Sequence, residues 1–148
     1  MKYTTTGILF VDHTTSEDAS VHVRYGHPGG PGIVLALDLA RNWDIEAAMT
    51  LEQARELLGA LRTAVEWDSQ GRLSEITEPA TIACMDMDTE GEGRATVRYD
   101  DASVTVGLAI ESEANMALSE VTMGRKEAEA LVFTLEAALK WVSLYGPG

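Results

Sequence analysis

Displaced by 74 residues, the chain matches itself, and that internal match limits its fold more than any other feature. Met49 to Trp67 aligns without a gap to Met123 to Trp141. The identical pairs are Met49/Met123, Ala54/Ala128, Leu57/Leu131, Leu61/Leu135, Ala64/Ala138 and Trp67/Trp141. The same displacement pairs Val23-Arg24-Tyr25 with Val97-Arg98-Tyr99, Ile8 with Ile82 and Asp12 with Asp86. Two lengths of 74 make up the 148 residues. The chain therefore reads as a single domain of two repeats, 1–74 and 75–148. Between the matched segments the lengths drift and recover, through a longer loop after Tyr25 in the first repeat and a longer turn after Ile110 in the second. Compensating changes in loops are what two copies of one unit accumulate.

Each repeat ends in a helix. Ala54, Leu57, Leu58, Leu61, Ala64 and Val65 form one apolar stripe at helical spacing, and Ala128, Leu131, Val132, Leu135, Ala138 and Leu139 repeat it. Thr50 with Gln53 forms a capping box, Gly124 gives the second helix a weaker start, and Gly71 and Gly146 stand where helices stop. Ahead of each helix the period becomes two. Val21, Val23 and Tyr25 alternate with His22 and Arg24; Ile33, Leu35, Leu37 and Leu39 share a face, as do Trp43, Ile45, Ala47 and Met49. Val104, Val106, Leu108 and Ile110 do the same in the second repeat, and Ile8–Val11 and Ile82–Met85 read as short first strands. The pattern predicts an α+β fold from a duplicated β-β-β-β-α unit. It predicts two antiparallel four-stranded sheets, each with one amphipathic helix, related by a pseudo-two-fold axis and sharing a core. Trp67 and Trp141 are expected at equivalent edges of that core, and Gly71 to Ala80, with Pro79, is expected to link the repeats.

Charge narrows the partners. Asp and Glu number 24 against 11 Lys and Arg, a net charge of −13. Residues 1–74 hold 10 acids and 6 bases, a net −4, and residues 75–148 hold 14 and 5, a net −9. Such a field repels phosphates and anionic lipid and favours a cation or a basic protein. The longest apolar run, Ile33 to Leu37, is far too short to span a bilayer, and Met1 to Thr6 lacks signal-peptide character. A cytoplasmic location is the expectation. The single cysteine, Cys84, allows no internal disulfide and reads as a small core residue.

Two groups of acids are candidate sites. In Asp86-Met87-Asp88-Thr89-Glu90-Gly91-Glu92, carboxylates alternate around a glycine, the way oxygen ligands gather on a hard cation. Asp86, Asp88, Glu90 and Glu92 are the candidate metal ligands. The run departs from the helix-flanked calcium loop, because Val97 stands where a bidentate Glu is needed and the flanks read as strands. Asp100, Asp101, Glu111 and Glu113 are the candidate rim for a basic partner. The glycine-rich segment Gly26 to Gly32 precedes a strand, not a helix, so it reads as a loop rather than a phosphate cradle. His13, His22 and His27 have no counterparts in the second repeat and form no ligand spacing. No nucleophile elbow, zinc-protease or Walker motif occurs.

In element order, β-β-β-β-α twice over the whole chain, the sequence resembles the PUR-repeat and Whirly-type single-strand nucleic-acid binders. The resemblance implies a nucleic-acid-binding sheet face. Arg24 and Arg98 are the matched basic positions on such a face, while aromatic content is only 6%. The expected function is a non-enzymatic interaction module without a cofactor, presenting an acidic surface to a protein partner or to itself. The alternatives are a small-ligand or divalent-cation binder using the groove between the repeats, or a single-strand nucleic-acid binder. Val34, Ala36 and Ala48 suggest an apolar outer sheet face that a homodimer would cover.

Overall fold

A computed structural model arranges the chain as one antiparallel sheet with two helices. The structure describes residues 4–12, 15–25, 32–39, 45–70, 80–87, 90–100, 105–113 and 118–145. The first four strands are β1 (Thr4–Val11), β2 (Asp18–Tyr25), β3 (Ile33–Leu39) and β4 (Ile45–Met49), followed by α1 (Leu51–Gln70). The order then repeats as β5 (Ala80–Asp86), β6 (Glu92–Asp100), β7 (Thr105–Ser112), β8 (Leu118–Met123) and α2 (Arg125–Tyr145).

The expected pair of separate four-stranded sheets, each carrying its own helix about a pseudo-two-fold axis, is overturned. All eight strands belong to one sheet, in the order β1 to β8. β4 pairs with β5 at Ala47↔Asp86 and Ala48↔Met85, and the Met87 N–H donates to the Glu46 carbonyl at 3.1 Å. The physical reason lies in the edges. Two separate sheets would leave β4 and β5 as unpaired edges, each a row of unsatisfied backbone groups. Pairing joins them through two residue pairs. Nor is each helix confined to its own strands. α1 packs chiefly against β5 and β6 while still touching β4, and α2 packs chiefly against β1 and β2 while still touching β7 and β8. Trp141 of α2 meets Tyr25 of β2 edge-on, with ring centroids 5.5 Å apart. The Trp67 side chain, expected at the equivalent place, lies outside the described residues.

The ladder register repeats with the sequence. Ile8 faces Val21 in β1–β2, and Ile82 faces Ala95 in β5–β6, each 74 residues on. On the inward side one continuous core joins Val21, Leu35, Leu37, Met49, Leu57 and Leu61 to Leu108, Ile110, Met123, Leu131 and Leu135, all fully buried. The capping box forms as its residue types require: the Gln53 N–H donates to Thr50 Oγ1 at 3.1 Å and the Thr50 N–H to Gln53 Oε1 at 3.0 Å. Where the helices meet, Arg62 Nη2 lies 2.6 Å from Glu136 Oε1, and the two residues stand 74 apart in sequence. Equivalent positions of the two repeats thus carry opposite charges where they touch. Both side chains are nearly half exposed, so the pair adds at most about 1 kcal/mol.

On the outward side, Arg24 of β2 reaches Glu46 of β4 at 2.7 Å, across β3. Val34 and Ala36 of β3 and Ala48 of β4 lie beside this pair and are already buried within one chain, at 3%, 6% and 2% exposure. They therefore supply no uncovered apolar face.

Gly59 is an exposed helical position on α1 where an added Cβ would meet nothing within 4 Å. Gly59→Ala removes backbone freedom from the unfolded chain without a clash. It should stabilise the protein by about 0.5–1 kcal/mol in chemical denaturation, and an unchanged or lower midpoint would contradict the open geometry.

Candidate functional site

Two hairpin turns carry the buried carboxylates. The turn from β1 to β2 is closed by the Asp12 N–H to Glu17 carbonyl bond at 2.8 Å and by the Ser16 N–H to Asp12 carbonyl bond at 2.8 Å. The turn from β5 to β6 copies it: the Asp86 N–H donates to Gly91 at 2.9 Å and the Glu90 N–H to Asp86 at 2.8 Å. Ser16 and Glu90, again 74 apart, both take left-handed backbone, with φ of 62° and 58°. Asp12 and Asp86 are 1% and 3% exposed. A buried carboxylate must be hydrogen-bonded to be tolerated. Asp12 Oδ2 accepts from the Thr15 N–H at 2.8 Å and the Thr15 hydroxyl at 3.0 Å, while Oδ1 accepts from the Thr122 N–H of β8 at 2.6 Å. The last bond ties the first strand to the last, across 110 residues. Asp86 Oδ2 accepts from the Ser112 hydroxyl at 2.6 Å.

These positions decide how the predicted acids are arranged. Ile82, Cys84 and Asp86 point inward on β5, whereas Met85 points outward and faces Glu92 across the ladder. Asp86 and Glu92 therefore stand on opposite sides of the hairpin. Glu90 and Glu92 are exposed. Asp88 lies outside the described residues. Among the described residues no three His, Cys, Asp or Glu side chains are gathered for a metal ion.

The partner rim divides in the same way. Asp100 faces Thr105 at one end of the β6–β7 ladder, and Glu111 faces Arg94 near the other. Six residues of strand separate these ends, roughly 20 Å. Glu111 is engaged by Arg94 at 3.1 Å. Glu113 is exposed, and its N–H donates to the Glu92 carbonyl at 3.1 Å. The Asp100 side chain and all of Asp101 lie outside the described residues. Glu92, Glu111 and Glu113, which come from two different predicted groups, thus share one end of the ladder.

Of the matched arginines, Arg24 is paired with Glu46, and Arg98 flanks Gly107 opposite the Glu120 carboxylate. The His22 ring lies against Gly7, where an added Cβ would meet it at 2.5 Å, and its Nε2 is 3.1 Å from Ser20 Oγ. His13, His27 and the glycine-rich segment through Pro31 lie outside the described residues.

Cys84 is buried, 7% exposed. Burial, and secondarily the Asp86 carboxylate beside it, push its thiol up to about 11 from an ordinary 9.0. The folded state therefore disfavours the thiolate. Its contribution to stability is intact below about pH 9 and is lost as pH rises toward 11, a change of about 2–3 kcal/mol. The native thiol should resist iodoacetamide at pH 8 and react once the chain is unfolded in denaturant; equal rates in both states would contradict the burial.

Sequence reasoning passed over the exposed apolar residues. A groove of about 760 Å³ runs along β1 beside the start of α2, lined by Leu9, Val11, Lys126, Glu127 and Ala130, among others. Leu9 is 81% exposed and Val11 55%. From Ala130 the strip continues along the outward side of α2 through Phe133, 74% exposed, and Ala137. The equivalent outward positions of α1 are Glu56, Gly59 and Thr63, all exposed. α1 therefore shows the ordinary solvated face of this helix, and α2 has replaced it with an apolar one. The signal was in the aligned helices, at Gly59 against Phe133, but the helical stripe drew attention to the buried side instead. No protein family, no curated protein and no solved structure matches the chain, so the comparison that defines its site is the one between its own two halves.

Proposed function

We propose that the chain is a non-enzymatic protein-interaction module whose contact surface is the apolar strip along the outward side of α2, beside the groove between α2 and β1. The reading rests on one observation. At three successive outward positions, Glu56, Gly59 and Thr63 on α1 become Ala130, Phe133 and Ala137 on α2, all solvent-exposed. Exposed aromatic and aliphatic side chains in a continuous strip mark a surface that another molecule covers. Beside it, β1 is an edge strand with Leu9 and Val11 exposed, where backbone groups can also add to a partner. The acids around it, Glu90, Glu92, Glu111 and Glu113 included, serve solubility and orientation rather than supplying the contact itself. Among the described residues no helix is long and apolar enough to cross a membrane.

The first partner to test is a second copy of the chain. Light scattering after size exclusion, from low to high micromolar concentration, should give twice the 16.0 kDa chain mass. Phe133→Glu should return it to one chain, with an unchanged circular dichroism spectrum. A wild type that stays at one chain mass throughout would refute self-association. Binding of another protein that Phe133→Glu leaves intact would refute the strip.

A further inference from the structure

We propose that the inward side of the second half of the sheet holds a buried binding site for a water-sized hydrogen-bond donor, formed by Ser112 and Ser119 beside Asp86. The ladder registers show how the two repeats differ there. Phe10 faces Ala19 on β1–β2, and Cys84 faces Gly93 at the same place on β5–β6. Ala19 in turn faces Leu39, and Gly93 faces Ser112. Leu37 faces Ile45, and Ile110 faces Ser119. By register, then, Phe10 corresponds to Cys84 and Ile45 to Ser119, and Ser112 stands at the ladder position of Leu39. Exchanging Phe and Ile for Cys and Ser removes apolar volume, and the second repeat adds buried hydroxyls at Ser112 and Ser119.

Ser112 and Ser119 are 0% and 4% exposed. They stand diagonally across the β7–β8 ladder, a spacing of roughly 7 Å. Ser112 gives its proton to Asp86 Oδ2 at 2.6 Å, so it has only lone pairs left to offer. Ser119 Oγ is buried and meets no hydrogen-bond partner among the described residues. A hydroxyl so placed carries the full cost of desolvation unless something bonds to it. The lone pairs of the two buried hydroxyls select the ligand. It must be the size of water, must donate hydrogen bonds, and cannot be an anion beside Asp86. Water and ammonium both satisfy this chemistry. Gly93 does not provide the space, because a Cβ there would meet the Glu111 carbonyl at 2.8 Å.

The test compares the full chain with Ser119→Ala. If the hydroxyl holds a ligand, the alanine variant should melt about 3–6 °C lower, since the ligand loses a partner. A wild-type melting temperature higher in ammonium chloride than in sodium chloride of equal strength, with the difference abolished in the variant, assigns ammonium. Equal values in the two salts, with the variant still less stable, assign water. An alanine variant as stable as wild type, or more so, overturns the site. A crystal structure gives an independent reading: a solvent peak within hydrogen-bond distance of Ser119 Oγ is expected, and an Oγ without one overturns the proposal.

Discussion

Asp12→Ala should cost about 3 kcal/mol of stability, roughly 1 kcal/mol for each of its three side-chain hydrogen bonds to Thr15 and Thr122. For a chain of 148 residues this lowers the melting temperature by roughly 10 °C. The size of the effect follows from where the bonds go. Two close the β1–β2 turn on Thr15, and one holds Thr122 on β8. Removing the carboxylate leaves the Thr122 N–H without its acceptor and releases the contact between the first and last strands. Asp12→Asn keeps one oxygen but turns an amide NH₂ toward a donor, so it should recover only part of the loss. Denaturant titration measures the cost, and hydrogen exchange at Thr122 locates it. A loss below about 1 kcal/mol, with exchange at Thr122 unchanged, would show that β1 and β8 are held together by other means.

Leu57→Ala should be comparably severe, about 2–5 kcal/mol, and its more informative consequence is cooperativity. Leu57 is fully buried on α1. That helix belongs to the first repeat in sequence and packs on β5 and β6 of the second. A cavity at Leu57 therefore weakens both halves together. Unfolding should remain a single transition, coincident by fluorescence and circular dichroism, with a lower midpoint. Two separable transitions would mean that the repeats fold as independent units and that the helix exchange does not couple them.

Both predictions concern features of unequal visibility in the sequence. The Asp12/Asp86 match was visible at a displacement of 74, but it did not show that both carboxylates are buried, and Asp86 reads there as a candidate cation ligand. The partner of Asp12 was hidden, because Thr122 lies 110 residues away and donates through its backbone, which no residue type advertises. The acidic run 86–92 shows how composition leaves direction unspecified. Its composition suggested converging ligands, yet strand alternation sends Asp86 inward and Glu92 outward. The four rim acids were close enough in sequence to suggest one surface, but the β6–β7 ladder sets Asp100 and Glu111 at its two ends.

The sequence by itself determined the units. Periods of 2.0 and 3.6, the capping box at Thr50 and Gln53, and the self-match at 74 residues all act over short range, so residue type is enough to specify strands, helices and their order. What only the tertiary structure decided is how those units join. Pairing β4 to β5 through Ala47 and Ala48, and laying each helix on the other repeat's strands, satisfies backbone edges and apolar faces that any pairing partner of suitable shape could have satisfied. Hydrophobic burial is non-directional and backbone hydrogen bonds are the same for every residue, so the choice among partners rests on twist, loop reach and the fit of the whole core.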